Sequence, residues 1–157
     1  MTIHTRHVFY FLGSAILMSF LIVDAQPRKD GDRKDIEAQF HDGKTVVLVV
    51  APAGKPKDAD ESYGDWADGL NTFATHAGAS VKILKLTPQR FAQLLLQPEV
   101  KGHFATLFMR DSEHALVYDG MVVERKVYEI GLAYLKRQID QKQASAYGLQ
   151  EKTAHFK

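Results

Sequence analysis

No cysteine occurs among the 157 residues, and that absence excludes more chemistry than any motif present suggests. Without a thiolate there is no disulfide, no thiol nucleophile, no cysteine-ligated zinc, no iron–sulfur cluster and no covalent c-type haem. The lipid-attachment cysteine of a bacterial lipoprotein is missing as well. A surplus of either charge is also lacking, since 20 Lys and Arg stand against 19 Asp and Glu, a formal net charge of +1. Neutralising nucleic-acid phosphates calls for a basic excess, so no nucleic-acid partner is expected. The charges are interspersed, as in Arg28-Lys29-Asp30 and Arg33-Lys34-Asp35, which reads as a solvated zwitterionic stretch. Internal repeats, low-complexity blocks, phosphate-cradling glycine loops and His-x-x-x-His or His-Glu-x-x-His pairs do not occur, and neither Ser62 nor Ser112 sits in a Gly-x-Ser-x-Gly elbow. With 45% hydrophobic and 25% charged residues the composition is that of a globular protein. A domain of roughly 100 residues or more can rest on its core without disulfides.

One long apolar run is present, at the N-terminus. Residues 1–7 carry Arg6 and no acid, and residues 8–23 (VFYFLGSAILMSFLIV) carry no charge. The run falls short of the roughly 20 residues a spanning helix prefers and suits the core of a signal peptide. Val23 and Ala25 supply small residues three and one positions before Gln26, so residues 1–25 are expected to be a leader cleaved after Ala25. The rival is a retained anchor, because a thin or tilted membrane accepts about 17 residues. Either route makes the protein extracytoplasmic, periplasmic or secreted, with membrane contact only through residues 8–23 if the leader stays.

Residues 26–44 are polar and include Pro27, Gly31 and Gly43; they read as a linker in which residues 35–40 form at most one helical turn. Residues 45–51 (TVVLVVA) are continuously apolar and β-branched, the mark of a strand covered on both faces. Tyr63, Trp66, Leu70, Phe73 and Ala77 then recur at three and four, an amphipathic helix closed by Gly78. Residues 80–86 (SVKILKL) form a second strand. Thr87 and Pro88 read as N-cap and first residue of a helix with Phe91, Leu94 and Leu95 on its apolar face, stopped by Pro98. Residues 104–109 and 114–118 make an antiparallel pair around Asp111-Ser112-Glu113. Asp119-Gly120 is a hairpin signal, so residues 121–126 are a fifth strand or the start of the last helix, which runs from about 127 to 141. Residues 142–157 have little apolar content and read as a flexible tail. The soluble domain therefore spans residues 45–141. Its order is β-α-β-α-β-β-α, an α/β domain with a central mixed sheet and right-handed crossovers.

Residues 100–108 (VKGHFATLF) resemble the thioredoxin-like signature in which Val or Ile, a short linker and Pro-Thr-Leu lead into the third core strand. Together with the element order, this identifies residues 45–139 as similar to a thioredoxin-like fold, and the TVVLVVAPA opening is similar to small exported peroxiredoxin-like domains. Two departures matter. Ala105 stands where the family has a cis-proline facing the active site; a cis bond there would cost about 2.5–4 kcal/mol, so a trans bond and a remodelled site are expected. Residues 51–58 (APAGKPKD) stand where the family has Cys-x-x-Cys. Thiol–disulfide exchange requires a thiolate, so neither oxidoreductase nor peroxidase activity carries over.

The remaining candidates are modest. Asp58, Asp60, Glu61, Asp65 and Asp68 are hard oxygen donors suited to a divalent cation. Their spacing fits no calcium loop, and acids at a helix start interact with its dipole anyway. Among His41, His76, His103 and His114, only His103 adjoins the position that faces the active site in the resembled fold, where it would serve as general base or ligand. Tyr63 and Trp66 share a helical face with core residues, yet a tryptophan near the vacant active-site mouth can line a groove. The sequence thus points to a non-catalytic binding module for a protein or cell-envelope component, with no cofactor. It would use Tyr63, Trp66, His103, Phe104 and Ala105 around the groove between the first helix and the Phe104–Ala105 loop. The alternative is a non-redox enzyme pairing His103 with a carboxylate from Asp58 to Asp65.

Overall fold

The run Thr45–Val50 (β1) lies inside a five-stranded mixed sheet, flanked by a strand on each side and covered on both faces, which explains why it lacks polar alternation: its last five residues are all buried. In the computed structural model, which describes residues 31–94 and 103–153, ten elements follow in the order α1 (Gly31–His41), β1, α2 (Glu61–Ala77), β2 (Val81–Leu86), α3 (Pro88–Leu94), β3 (Ala105–Met109), β4 (His114–Asp119), α4 (Arg125–Leu135), α5 (Gln141–Ser145) and β5 (Gln150–Thr153). The strands are arranged β2-β1-β3-β4-β5. β1 and β2 run parallel, with Thr45 opposite Val81 and Val50 opposite Leu86, whereas β1–β3, β3–β4 and β4–β5 are antiparallel.

Because successive strand residues face opposite ways, β1 divides its side chains between two cores. Val47 and Val49 join Trp66, Leu70 and Phe73 of α2 and Val127 and Tyr128 of α4. Val46, Leu48 and Val50 join Ile36 of α1 and Phe91 and Leu94 of α3. The sheet is thus sandwiched between helices, α2 and α4 on one face and α1 and α3 on the other. Close approach of α4 to the sheet depends on Gly131, where an added Cβ would overlap the ring of Phe108.

Several expected boundaries hold to within two residues. α2 ends at Gly78, whose φ of 78° is the left-handed conformation glycine tolerates best. Thr87 Oγ1 accepts from the Arg90 N–H at 3.1 Å, the expected cap of α3.

Four segments differ. Within the stretch read as a linker, α1 forms and seats Ile36 with no exposed surface. Residues 121–124 are neither strand nor helix, and the helix expected after them, α4, begins at Arg125. Val122 is fully buried while Val123 is 42% exposed, so this irregular segment carries the alternation of a strand without pairing like one. α4 ends at Leu135, six residues before the expected stop at 141. The stretch read as a flexible tail, residues 142–157, holds all but the first residue of α5, which opens on a capping box between Asp140 and Gln143, and the edge strand β5. Expectations for the leader, residues 26–30, Leu95, Pro98 and residues 100–102 of the signature fall outside the described residues.

Candidate functional site

The residues that turn from β1 into α2 build an open cleft of about 550 Å³ at the C-terminal ends of the two parallel strands. In open α/β sheets that is where ligand crevices form, because a helix leaves the sheet there. Its floor is Ala51 and Leu86, joined by the Ala51 N–H donating to the Leu86 carbonyl at 2.9 Å. Its upper wall is the loop through Pro52 and Gly54, where a φ of 72° turns the chain. The Tyr63 hydroxyl reaches the Gly54 carbonyl at 3.4 Å and ties that loop to α2. Trp66, Ala67 and Leu70 form the helical wall, and Asn71, Lys85 and Thr87 bring polar groups to the rim.

Trp66 is the hinge of this arrangement. Its ring lies 5.2 Å from Tyr63 on one side and 5.2 Å edge-on to Phe104 on the other. The aromatic sequence Tyr63–Trp66–Phe104 therefore joins α2 to the segment leading into β3. Edge-to-face contacts of this kind hold rings in defined orientations. The Gly120 N–H donates to the Phe104 carbonyl at 2.9 Å, fixing the same segment from the β4 side.

The sequence-predicted residues are only partly brought together. Tyr63 and Trp66 line the cleft and Phe104 supports it from behind. Ala105 is 1% exposed and belongs to the core on the α1–α3 side, opposite α2, so its side chain is core rather than cleft wall. The cleft opens along β2, whereas the groove expected from the sequence lay toward the Phe104–Ala105 loop. His103 is exposed, and no hydrogen bond or ion pair among the described residues joins it to a carboxylate. Asp58, Asp60, Glu61, Asp65 and Asp68 are all exposed. Among the described residues no three His, Asp or Glu side chains converge as a metal site would require. Asp60 caps α2 by position, though its side chain makes no capping hydrogen bond.

His76 and His114 are engaged locally. His76 Nδ1 lies 2.7 Å from the Thr72 carbonyl, one turn back on α2. His114 Nδ1 lies 3.0 Å from Asp111 Oδ1. That carboxylate also accepts from the Glu113 and His114 N–H groups, each at 2.8 Å. Partial burial pushes Asp111 up, but these two N–H groups and the His114 ring outweigh it and hold the carboxyl below its ordinary value.

Asn71, Lys85 and Thr87 were missed by sequence reasoning. Lys85 carried a signal, since it is the second of two lysines in the strand and stands just before the turn into α3. Asn71 carried none, because an exposed polar residue on an amphipathic helix is ordinary. Among the described residues no helix is long and apolar enough to cross a membrane. Comparison of the chain with family models, with curated proteins and with solved structures finds no match.

Proposed function

We propose that the protein is an exported, thioredoxin-like binding module that performs no thiol chemistry and holds a protein or cell-envelope component in the cleft beside Trp66. The observation that carries this reading is the cleft itself, an open hollow of about 550 Å³ with an aromatic and aliphatic wall and a polar rim. Binding sites of small size commonly combine those features. Support for the thioredoxin-like part comes from the β-α-β-α-β-β-α order between β1 and α4 and from the β2-β1-β3-β4 sequence of strands. Export rests on the leader-like residues 1–25, and the exclusion of thiol chemistry rests on the cysteine count of zero.

Trp66 is the chain's one tryptophan, so its emission reports on the cleft without labelling. The test is capture of partners from the extracytoplasmic fraction by wild type and by Ala53→Arg, a change at the exposed lip of the cleft. Wild type should retain a component that Ala53→Arg loses, and adding that component should shift Trp66 emission in wild type alone. Retention of every component by the variant, with no change in emission, would overturn the cleft assignment. The first residue of the protein recovered from that fraction should be Gln26, or Met1 if the leader is kept as an anchor; recovery only from the cytosol would overturn export.

A further inference from the structure

At the opposite end of the sheet from the cleft, the start of β1, the end of β3 and the end of α4 enclose a second hollow, about 370 Å³, lined by Lys44, Arg110, Lys136 and Arg137. Four cations in one hollow are unexpected in a chain whose charges nearly balance. No carboxylate lines it. Asp111, next to Arg110 in the chain, is committed to His114 and to two backbone N–H groups instead. The side chains of Lys44, Lys136 and Arg137 form no ion pair among the described residues.

Arg110 is held rigidly. Its guanidinium lies 3.5 Å over the Tyr134 ring, Nε donates to the Tyr134 carbonyl at 2.9 Å, and one terminal nitrogen reaches the Ile139 carbonyl at 3.5 Å. A guanidinium fixed through part of its donor fork keeps other donors for a planar or tetrahedral anion.

Arg137 supplies an independent observation. The Arg137 N–H donates to the Tyr134 carbonyl and the Gln138 N–H to the Ala133 carbonyl, each at 2.9 Å. That pair of bonds is the Schellman closure of a helix, in which the residue corresponding to Arg137 is usually glycine. Its φ is 57°, and among the described residues it is the one non-glycine in the left-handed region. Strain of this kind tends to be kept where a side chain is needed. Cations at the end of α4 do gain from the helix dipole, but an arginine one position earlier would gain the same without the strain.

We propose that this hollow binds a phosphate-bearing ligand. Four cationic residues around one hollow favour a multiply charged anion over a single carboxylate, and the volume falls in the range of small-molecule sites. The same chemistry is offered by a soluble phosphate ester and by an anionic lipid headgroup, and the experiment separates them. Full-length protein is titrated with pyrophosphate against chloride at matched ionic strength, following thermal unfolding, and is separately sedimented with vesicles of phosphatidylglycerol or of phosphatidylcholine alone. Wild type should be stabilised by pyrophosphate, or sediment with phosphatidylglycerol but not phosphatidylcholine. Lys44→Gln with Lys136→Gln should weaken either response at least tenfold. Arg137→Gly distinguishes binding from architecture: it should match or exceed wild-type stability without ligand while binding the responsive probe less tightly. No response to either probe, or equal responses from wild type and the double variant, would overturn the proposal.

Discussion

Tyr128 is the residue at which the core carries an uncompensated polar group. It is 2% exposed, stacks on Phe73 with ring centroids 5.1 Å apart, and its hydroxyl has no hydrogen-bond partner among the described residues. Burial pushes its phenol above the ordinary tyrosine value; the side chain of Thr106 approaches it and offsets part of that, but the two do not meet in hydrogen-bond geometry. A buried donor without an acceptor costs about 1–3 kcal/mol, whereas the ring contributes its full apolar burial. Tyr128→Phe should therefore raise stability by about 1 kcal/mol in chemical denaturation, with an unchanged denaturant slope. The pH dependence has a definite sign. A group with a raised folded value contributes stability that is complete below its unfolded value, about 10 for tyrosine, and lost as pH climbs through the folded one. Wild type should lose stability more steeply than Tyr128→Phe above about pH 10. Equal slopes would mean that the hydroxyl is reached by water in solution and that its burial does not raise its titration.

Elements whose fate depends on their own side chains were legible in the sequence, and those that depend on neighbours were not. β1 announced itself by six β-branched or aliphatic residues in a row, α2 by four core residues at helical spacing and a closing glycine, and α3 by Thr87-Pro88. α1 announced nothing, because Ile36 and Phe40 alone among its charged residues face the sheet, too few to make a periodic pattern. β5 (QEKT) has no apolar residue at all; it is a strand because β4 offers it an unpaired backbone edge. Residues 121–124 misled for the same reason in reverse, since their alternation finds no open edge to pair with once β5 has taken it. Of the cleft, Tyr63 and Trp66 could be found from helical spacing, while Lys85 and Thr87 join it only through the parallel register of β1 and β2. The hollow at the other end was invisible, because its four cations lie in three segments distant in sequence. The status of α1 as an element gives a sharp test. Deleting most of a buried isoleucine side chain costs about 2–5 kcal/mol. Ile36→Ala should lower stability by that amount in denaturant melts, whereas no effect would return residues 31–41 to the role of linker.

At the scale of the whole molecule, the two edges of the sheet are protected differently. β2 is an outer strand whose exposed positions carry Lys82 and Lys85, and charge on an edge discourages pairing with another chain. β4 has no such defence. Its run of Ala115, Leu116 and Val117 is buried, and the backbone edge beyond it is covered by β5. Leu149, fully buried at the approach to β5, joins the core on the α2–α4 side. The C-terminal segment thus closes both a core and an edge, and the two contributions can be separated. Leu149→Ala leaves the pairing in place and removes only side-chain burial, so it should cost about 2–5 kcal/mol and leave the association state of wild type unchanged. Ending the chain after Ser145 removes Leu149 and β5 together. That variant should be destabilised at least as much and should also self-associate through the uncovered β4, seen as a concentration-dependent rise in scattering at temperatures where Leu149→Ala stays folded. Self-association by both variants alike would place the protection in the core rather than in the strand. A truncated protein that associates no more than wild type and melts like it would remove β5 from any part in holding the sheet closed.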